Sequence, residues 1–427
     1  VTKLALHWQI LIGLAAALLV SLVTGPETTV VGVAVIDVCG FLGEWFLRAL
    51  RMLIVPLIVA SIITGVASLG SSGALGRLGL KTGGYYLTTS ALAVITGLIV
   101  VGAIEPGIVD GEPAKDRIGL HASTHDVASK VEGKGAGDIM GVFLRMVPAN
   151  VVEDAAEGRM LGLIFFSILF GAIVNQLPTE LRSTQRRFWR GLNEVMMRMT
   201  HWVMLFAPIG VFGLVAKALI STSDMAVAFS TLLGFVVAVL GALAIHVFVS
   251  LPLLLFLLGR VNPVAHYRAM FPALLMAFST ASSSATLPLT MERVQQGSGV
   301  SSRVSSFTLP LGATVNMDGT ALYECVAAMF IAQAYGVQLD AVQQLTVVLV
   351  ALLTSIGVAG IPSASLVAIT LILATIGLPL EAVGLILAVD RLLDMCRTAV
   401  NVLGDSTAAV VVARSEGEAT SVGLSKE

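Results

Sequence analysis

Apolar residues run along this chain in long blocks separated by short polar or basic stretches. Blocks at roughly 7–25, 29–69, 80–104, 138–176, 187–222 and 225–258 each approach or exceed the roughly 20 apolar residues of a helical membrane crossing. The second is too long for one perpendicular crossing and carries Glu44, Arg48, Arg51 and Pro56, so a tilted, kinked helix is expected. Arg77 and Lys81 follow it, and Arg182, Arg186, Arg187 and Arg190 cluster between the fourth and fifth blocks. Excess basic residues in short loops mark the cytoplasmic side, which puts the N-terminus there too. The Gly-rich, net acidic stretch from Glu105 to Asp138 falls outside. Ile10 to Val23 behind Lys3 has the form of a signal peptide as well as of a first transmembrane helix, and the many blocks after it favour the helix.

The last third has a different pattern. FPALLMAFSTASSSATLPLT (271–290) is two apolar pieces around a serine-rich break, and 345–380 is two apolar halves around GVAGIPSAS. Between them, NMDGT (316–320) interrupts another apolar run. Broken backbone in lipid is tolerated only where it is buried in protein or lines a hydrated cavity. Two interrupted segments at comparable positions point to inverted repeats with a site near the midplane, and they read as two re-entrant hairpins. Ordinary helices kinked by Gly and Pro are the alternative.

Composition agrees. The 427 residues are 56% hydrophobic and 12% charged, about half the usual charged fraction of a soluble domain, so the chain reads as an all-α polytopic membrane protein. The alternation of a membrane barrel is missing. The formal net charge of −2 gives no ground for a nucleic-acid partner. Three scattered cysteines, Cys39, Cys325 and Cys396, make neither a disulfide framework nor a metal knuckle.

The chemistry lies in the polar breaks and in DRLLDMCRTAVNVLGD (390–405). At about 100° per residue, Asp390, Asp394, Arg397, Asn401 and Asp405 share one face within about 80° of arc, with Arg391 just off it. Charge at bilayer depth costs at least ~2.5–3.5 kcal/mol, so this face must meet protein or a hydrated cavity. Internal salt bridges are the structural alternative, but three acids against one well-placed arginine leave negative charge over. The Arg397 fork suits a carboxylate, Asp394 an ammonium, and Asn401 a second carboxylate; together they complement an acidic amino acid. The serines 282–284 before Thr286, Leu287 and Pro288 suggest a helix N-terminus at the first hairpin tip, where free N–H groups bind carboxylates. Gly360 to Ser365 would gate the site. Asn316, Asp318 and Thr320 supply hard oxygen ligands for a cation such as sodium, with Asp405 as a second anion.

At these residues the chain resembles the dicarboxylate/amino acid:cation symporter family, which includes the excitatory glutamate transporters and their prokaryotic homologues. SSSATLP, NMDGTALYE, GIPSAS and DMCRTAVNVLGD, in that order, carry the resemblance, and it extends over nearly the whole chain. It implies a homotrimer in a bacterial inner (plasma) membrane, both termini cytoplasmic, each protomer having eight transmembrane helices and two hairpins and working as an elevator. Residues 1–79 and 138–222 would form the scaffold, 80–104 and 223–414 the transport domain, 105–137 an outer loop and 415–427 a cytoplasmic tail.

The resemblance also implies roles. Ser282, Ser283, Ser284, Thr320, Ile361, Pro362, Ala364, Ser365, Asp394, Arg397, Thr398 and Asn401 would contact substrate. Co-transported sodium would use Tyr86, Thr89, Ser90, Gly312, Thr314, Asn316, Met317, Asp318, Ser355, Ile356, Val358, Asn401 and Asp405, with Asp390 supporting. Ala281 stands where some archaeal members have arginine, and Ser365 where glycine is frequent. Glu324 matches a glutamate that animal members use for proton carriage and potassium antiport; it is a proton carrier or a neutral hydrogen-bonded helix residue, so H+ or K+ coupling stays open beside Na+.

Two other classes compete. An intramembrane protease would use Asp390 and Asp405 or the serine run, but none of the six histidines lies in the polar breaks to serve a serine nucleophile, and no enzyme is expected. His246, in VLGALAIHVFVS, reads as a satisfied helix histidine. A channel would need continuous polar stripes on several helices, whereas the hairpins favour an occluded site.

Overall fold

The structure, a computed structural model, describes residues 6–25, 27–30, 32–68, 73–115, 117–118, 147–157, 160–221, 225–355 and 365–422. It is almost entirely helical. In chain order the helices are α1 (Leu6–Val23), α2 (Val35–Ser68), α3 (Gly73–Ile104), α4 (Val151–Glu157), α5 (Met160–Val174), α6 (Thr179–Met204) and α7 (Ala207–Ser221). After these, α8 (Met225–Ile245) continues through π-helical turns at His246–Ser250 and Leu255–Gly259. There follow α9 (Pro263–Thr280), α10 (Ser283–Gln296), α11 (Ser302–Val315), α12 (Asp318–Ala334), α13 (Ala341–Ser355), α14 (Ser365–Ile376) and α15 (Val383–Ser415).

By length and composition, Arg77–Ile104 and Ala226–Gly259 each suffice to cross a membrane unaided. The remaining apolar helices are shorter, bent or polar on one face, which is compatible with a polytopic membrane protein.

Two sets of helices pack mainly among themselves. In one, α2 contacts α5, α6 and α7, and α1 lies along α7. In the other, α3 and α8 to α14 gather around α12 and α15, with α9 and α10 packed together as a hairpin and α13 and α14 as another. From Asp318 to Ala334 nearly every residue of α12 is buried, so the NMDGT helix is wrapped by its neighbours. The sets meet where α7 touches α15 and α2 touches α14 and α11.

Several predicted boundaries move. The block at 29–69 starts later as helix, because Thr29–Val30 and Val33–Ala34 first form a two-residue antiparallel hairpin; from Val35 the helix runs on through Pro56. The block at 138–176 is not one helix in its described part. Asn150 caps α4, its Oδ1 accepting from the amides of Val152 and Glu153, and α5 is a separate 15-residue helix. The block at 187–222 starts at Thr179 and bends by 54° between Val203 and Ala207; Pro208 cannot donate into the ladder there.

Candidate functional site

Asp390, Asp394, Arg397, Asn401 and Asp405 all project from one face of α15 into protein, none more than 7% exposed. Towards the start of α15, Arg397 is fully buried, one of the largest side chains in the structure without solvent contact. Its Nη2 donates to Asp394 at 2.8 Å and to Asp390 at 3.2 Å, and its guanidinium stacks on the Tyr323 ring, 3.8 Å from the centroid. The Tyr323 hydroxyl donates to Asp390 at 3.0 Å. Nε and Nη1 of Arg397 have no partner among the described residues. Buried donors left so cost about 1–3 kcal/mol each, more on a charged group, so the arginine is incompletely satisfied by its own helix. Arg391 lies 3.6 Å from the outer oxygen of Asp394.

One turn on, Asn401 does something its sequence position did not announce. Its Oδ1 accepts from the amides of Gly319 and Thr320, at 2.8 and 3.3 Å, capping the first turn of α12, while its Nδ2 donates to the Thr320 hydroxyl at 3.1 Å. The break in NMDGT is narrow: Asn316 and Met317 leave helical geometry and Asp318 already opens α12. Thr398 spends its hydroxyl on the Asp394 carbonyl.

Beyond Asn401 the chemistry changes to oxygen. Asp318 Oδ1 accepts from Ser90 at 2.7 Å and Thr89 at 3.2 Å, and both hydroxyls also lie within 3.4 Å of Asn316 Oδ1. Asn316 Nδ2 donates to Asp405 at 3.0 Å, and Tyr86 donates to the Thr308 carbonyl. All of these side chains are at most 4% exposed. Gly312 is required by proximity: a Cβ there would meet Asp405 Oδ1 at 2.4 Å and the Tyr86 hydroxyl at 2.6 Å. Asp318, Asp390, Asp394 and Asp405 oppose two guanidiniums, Arg391 and Arg397, and a surplus of buried carboxyls calls for cations. Carboxylate, amide, hydroxyl and phenol oxygens are the donor set of a hard ion. Among the described residues no cluster of three or more His, Cys, Asp or Glu forms, so nothing there resembles a zinc-type centre.

The first hairpin forms its tip with Ala281 in the left-handed region (φ 48°) and Ser282 as the N-cap, its hydroxyl accepting from the Ala285 amide. The helix therefore begins at Ser283, and Pro288 lies inside it rather than in its first turn as expected. The carbonyl left over belongs to Ser284, which is exposed. Ser283 is buried. In the second hairpin, Ser365 opens α14 with a buried hydroxyl that has no partner among the described residues. Ile356, Val358, Gly360, Ile361, Pro362 and Ala364, and the side chains of Thr314 and Ser355, lie outside the described residues. Glu324 is fully buried on α12; one oxygen accepts from Thr354 of α13 at 2.9 Å and the other has no partner among the described residues.

One residue of the cluster escaped sequence reading. The ring Nε2 of His246 lies 3.4 Å from Asp318 Oδ2, both side chains being fully buried; the sequence suggested a satisfied helix histidine but not which residue satisfies it. It sits at the first residue of a π-helical turn, a feature frequent at functional sites. The signal available was Pro252: its missing N–H would have bonded the Phe248 carbonyl, which breaks the ladder of α8 at that turn. Tyr267, from α9, donates to the Val247 carbonyl of the same turn.

Comparison with known proteins accords with this geometry. Residues 6–415 match the profile of the sodium:dicarboxylate symporter family. The chain is 33% identical to the proton/sodium-glutamate symport protein of Bacillus caldotenax, over 97% of this chain and 96% of the relative. It is 34% identical to the proton/glutamate-aspartate symporter of Escherichia coli K12, over 97% and 93%. With human excitatory amino acid transporter 2 it shares 36% identity, over 88% of this chain and 73% of that one. With its length matched from end to end of its helical body and its motifs in order, the chain belongs to the sodium:dicarboxylate symporter family.

Proposed function

We propose that this chain is a cation-coupled symporter of acidic amino acids, carrying glutamate or aspartate across the plasma membrane together with sodium. The observation that carries the reading is Arg397: a fully buried guanidinium held by Asp390 and Asp394 through one nitrogen, with its other two nitrogens unpartnered among the described residues. A substrate carboxylate completes it. Asp394, 2.8 Å from the arginine, receives the substrate ammonium. Ser283 and the amides at the start of α10, with Ser365 opposite, take the other carboxylate. The Asp318–Asn316–Asp405 cluster takes the coupling cations, with Asp390 reinforcing the arginine. The names of the bacterial relatives support the substrate class.

The set α1, α2, α5, α6 and α7 is the scaffold in this reading, and α3 with α8 to α15 the moving body of an elevator within an eight-span, two-hairpin protomer. A homotrimer fits a row of exposed apolar residues on α6, Leu181, Phe188, Val195 and Trp202, each more than half exposed and seven residues apart. A second reading is proton coupling, favoured by the Glu324 oxygen that has no partner among the described residues and by the word proton in both bacterial names.

Uptake of labelled aspartate into liposomes, with sodium, proton and potassium gradients imposed one at a time, tests both. Accumulation against its gradient only with inward sodium supports the first reading, and with inward protons alone the second. Uptake indifferent to every cation gradient would overturn coupled transport altogether.

A further inference from the structure

Both oxygens of the Asp318 carboxylate are engaged, by different helices. Oδ1 accepts from the Ser90 and Thr89 hydroxyls of α3, and Oδ2 lies 3.4 Å from Nε2 of His246 on α8. An ionised carboxylate only accepts, so the hydrogen of that second contact belongs to the imidazole. A ring nitrogen that donates has no lone pair left for a metal. His246 is therefore placed as a partner of a cation ligand and not as a ligand itself.

The backbone that bears the ring is also tied down. His246 opens the π-helical turn His246–Ser250, which packs against α3, and Tyr267 of α9 donates to the carbonyl of the next residue, Val247. From α15, Gly404 leaves room for the same carboxylate oxygen: a Cβ there would stand 2.7 Å from Oδ2. Nδ1 of the ring has no partner among the described residues. A buried polar group left so costs stability and calls for a reason, and the contact to Asp318 supplies one.

We propose that His246 is a positioning residue for the cation cluster, fixing the rotation of the Asp318 carboxylate; this rests on the cation role given to Asp318 above. A carboxylate anchored through one oxygen can still swing about its last torsion. A second anchor on the other oxygen removes that freedom before the ion arrives, so binding does not bear the cost of ordering it. Asp390 and Asp394 are held by a guanidinium, whereas Asp318 is held by hydroxyls and an imidazole.

Glutamine and asparagine separate position from packing at this site. The amide nitrogen of a glutamine stands about where the imidazole Nε2 does, and that of an asparagine reaches only as far as Nδ1. Full-length protein is titrated with sodium, half-saturation being read from the thermal midpoint without aspartate and again from aspartate uptake into liposomes. His246→Asn should raise half-saturating sodium about tenfold, and His246→Gln should stay within about twofold of the parent. Maximal uptake at saturating sodium should be unchanged in both. Gly404→Ala displaces the same oxygen with the ring left in place, so it should raise half-saturating sodium about fivefold and serves should the asparagine variant fail to fold. Combined with His246→Asn, it should add little to the larger single effect, because both act through Oδ2.

Equal behaviour of the Gln and Asn variants, parental affinity in Gly404→Ala, or effects that multiply in the double variant would overturn the positioning role. A parent protein whose midpoint and uptake both ignore sodium would instead overturn the cation reading itself, and this inference with it.

Discussion

The two halves of the polar face of α15 do opposite things with the same residue type. Near its start, Asp390 and Asp394 converge on a guanidinium and leave two of its nitrogens without a partner among the described residues. Farther along, Asp405 meets Asn316, and through it the hydroxyls that surround Asp318, with no arginine or lysine among them. The first half has a donor to spare and the second has acceptors to spare. An isolated buried charge is costly, so in the function proposed above each half takes a guest of the opposite kind: an anion beside Arg397 and cations beside Asp405. Asn401 sits between them, capping α12, which locks the start of the NMDGT helix to the helix that bears both halves. In that proposal, coupling of two cargoes is built into one helix face and its cap.

Substituting the arginine separates the halves most strongly. Arg397→Cys removes the guest's partner, and an unpaired buried carboxylate costs roughly 3–5 kcal/mol. Uptake of aspartate should fall by at least about a hundredfold, neutral amino acids should gain, and cation binding measured by thermal shift with sodium should persist. Undiminished aspartate uptake would remove the arginine from the substrate site and erase the contrast.

The converse substitution is Asp405→Asn. It keeps shape and leaves an oxygen to accept from Asn316 but withdraws one charge from the cation half. A charge-assisted contact contributes about 1.5–3 kcal/mol, so the half-saturating cation concentration should rise about tenfold or more. At saturating cation, discrimination between acidic and neutral substrates should stay as in the parent. If it changed with the cation dependence, the two halves would be one site.

How far this was legible beforehand differs along the chain. The face 390–405 could be read because helical period alone gathers its residues, and burial of charge dictates that it turns inward. The hairpins were legible as apolar halves around serine and proline. Tertiary partners were not. Nothing local says that Asn401 caps a helix starting some 80 residues earlier, or that His246 reaches Asp318. The bend at 205–206 and the break before α4 were missed because hydropathy registers apolar length and is blind to a cap such as Asn150.

Gly312→Ala probes the second half by geometry instead of charge. The added methyl would stand 2.4 Å from Asp405 Oδ1 and 2.6 Å from the Tyr86 hydroxyl, closer than such atoms approach, so the carboxylate must move. Cation affinity should fall about fivefold, within the 1–3 kcal/mol typical of overpacking, with the arginine half unaffected. A variant with normal cation dependence would show that Asp405 moves freely there and is not a fixed ligand.

The mildest change lies beyond both halves. After α15 ends, Glu416 accepts from Lys81 at 2.6 Å and Arg77 at 3.0 Å, tying the tail to the start of α3, while Glu418 accepts from Ser301 at the start of α11. Lys81, then Arg77, hold the Glu416 carboxyl down at about 2 from its ordinary 4.5. A carboxyl depressed by folding lends stability that is complete above its unfolded value and is lost as pH falls towards its folded one. The Glu416 side chain is itself covered, but Arg77 and Lys81 keep solvent contact, and solvated partners make weak pairs, so Glu416→Gln should lower the thermal midpoint at neutral pH by no more than about two degrees. That difference should fade as pH drops from about 4.5 to about 2, measured as wild type minus variant so that other titrations cancel. Substrate selectivity and cation dependence should both match the parent, because the tail latch touches neither Arg397 nor Asp405. A shift in either would mean that the latch sets the position of α15, and that its two polar halves answer to the end of the helix as well as to their guests.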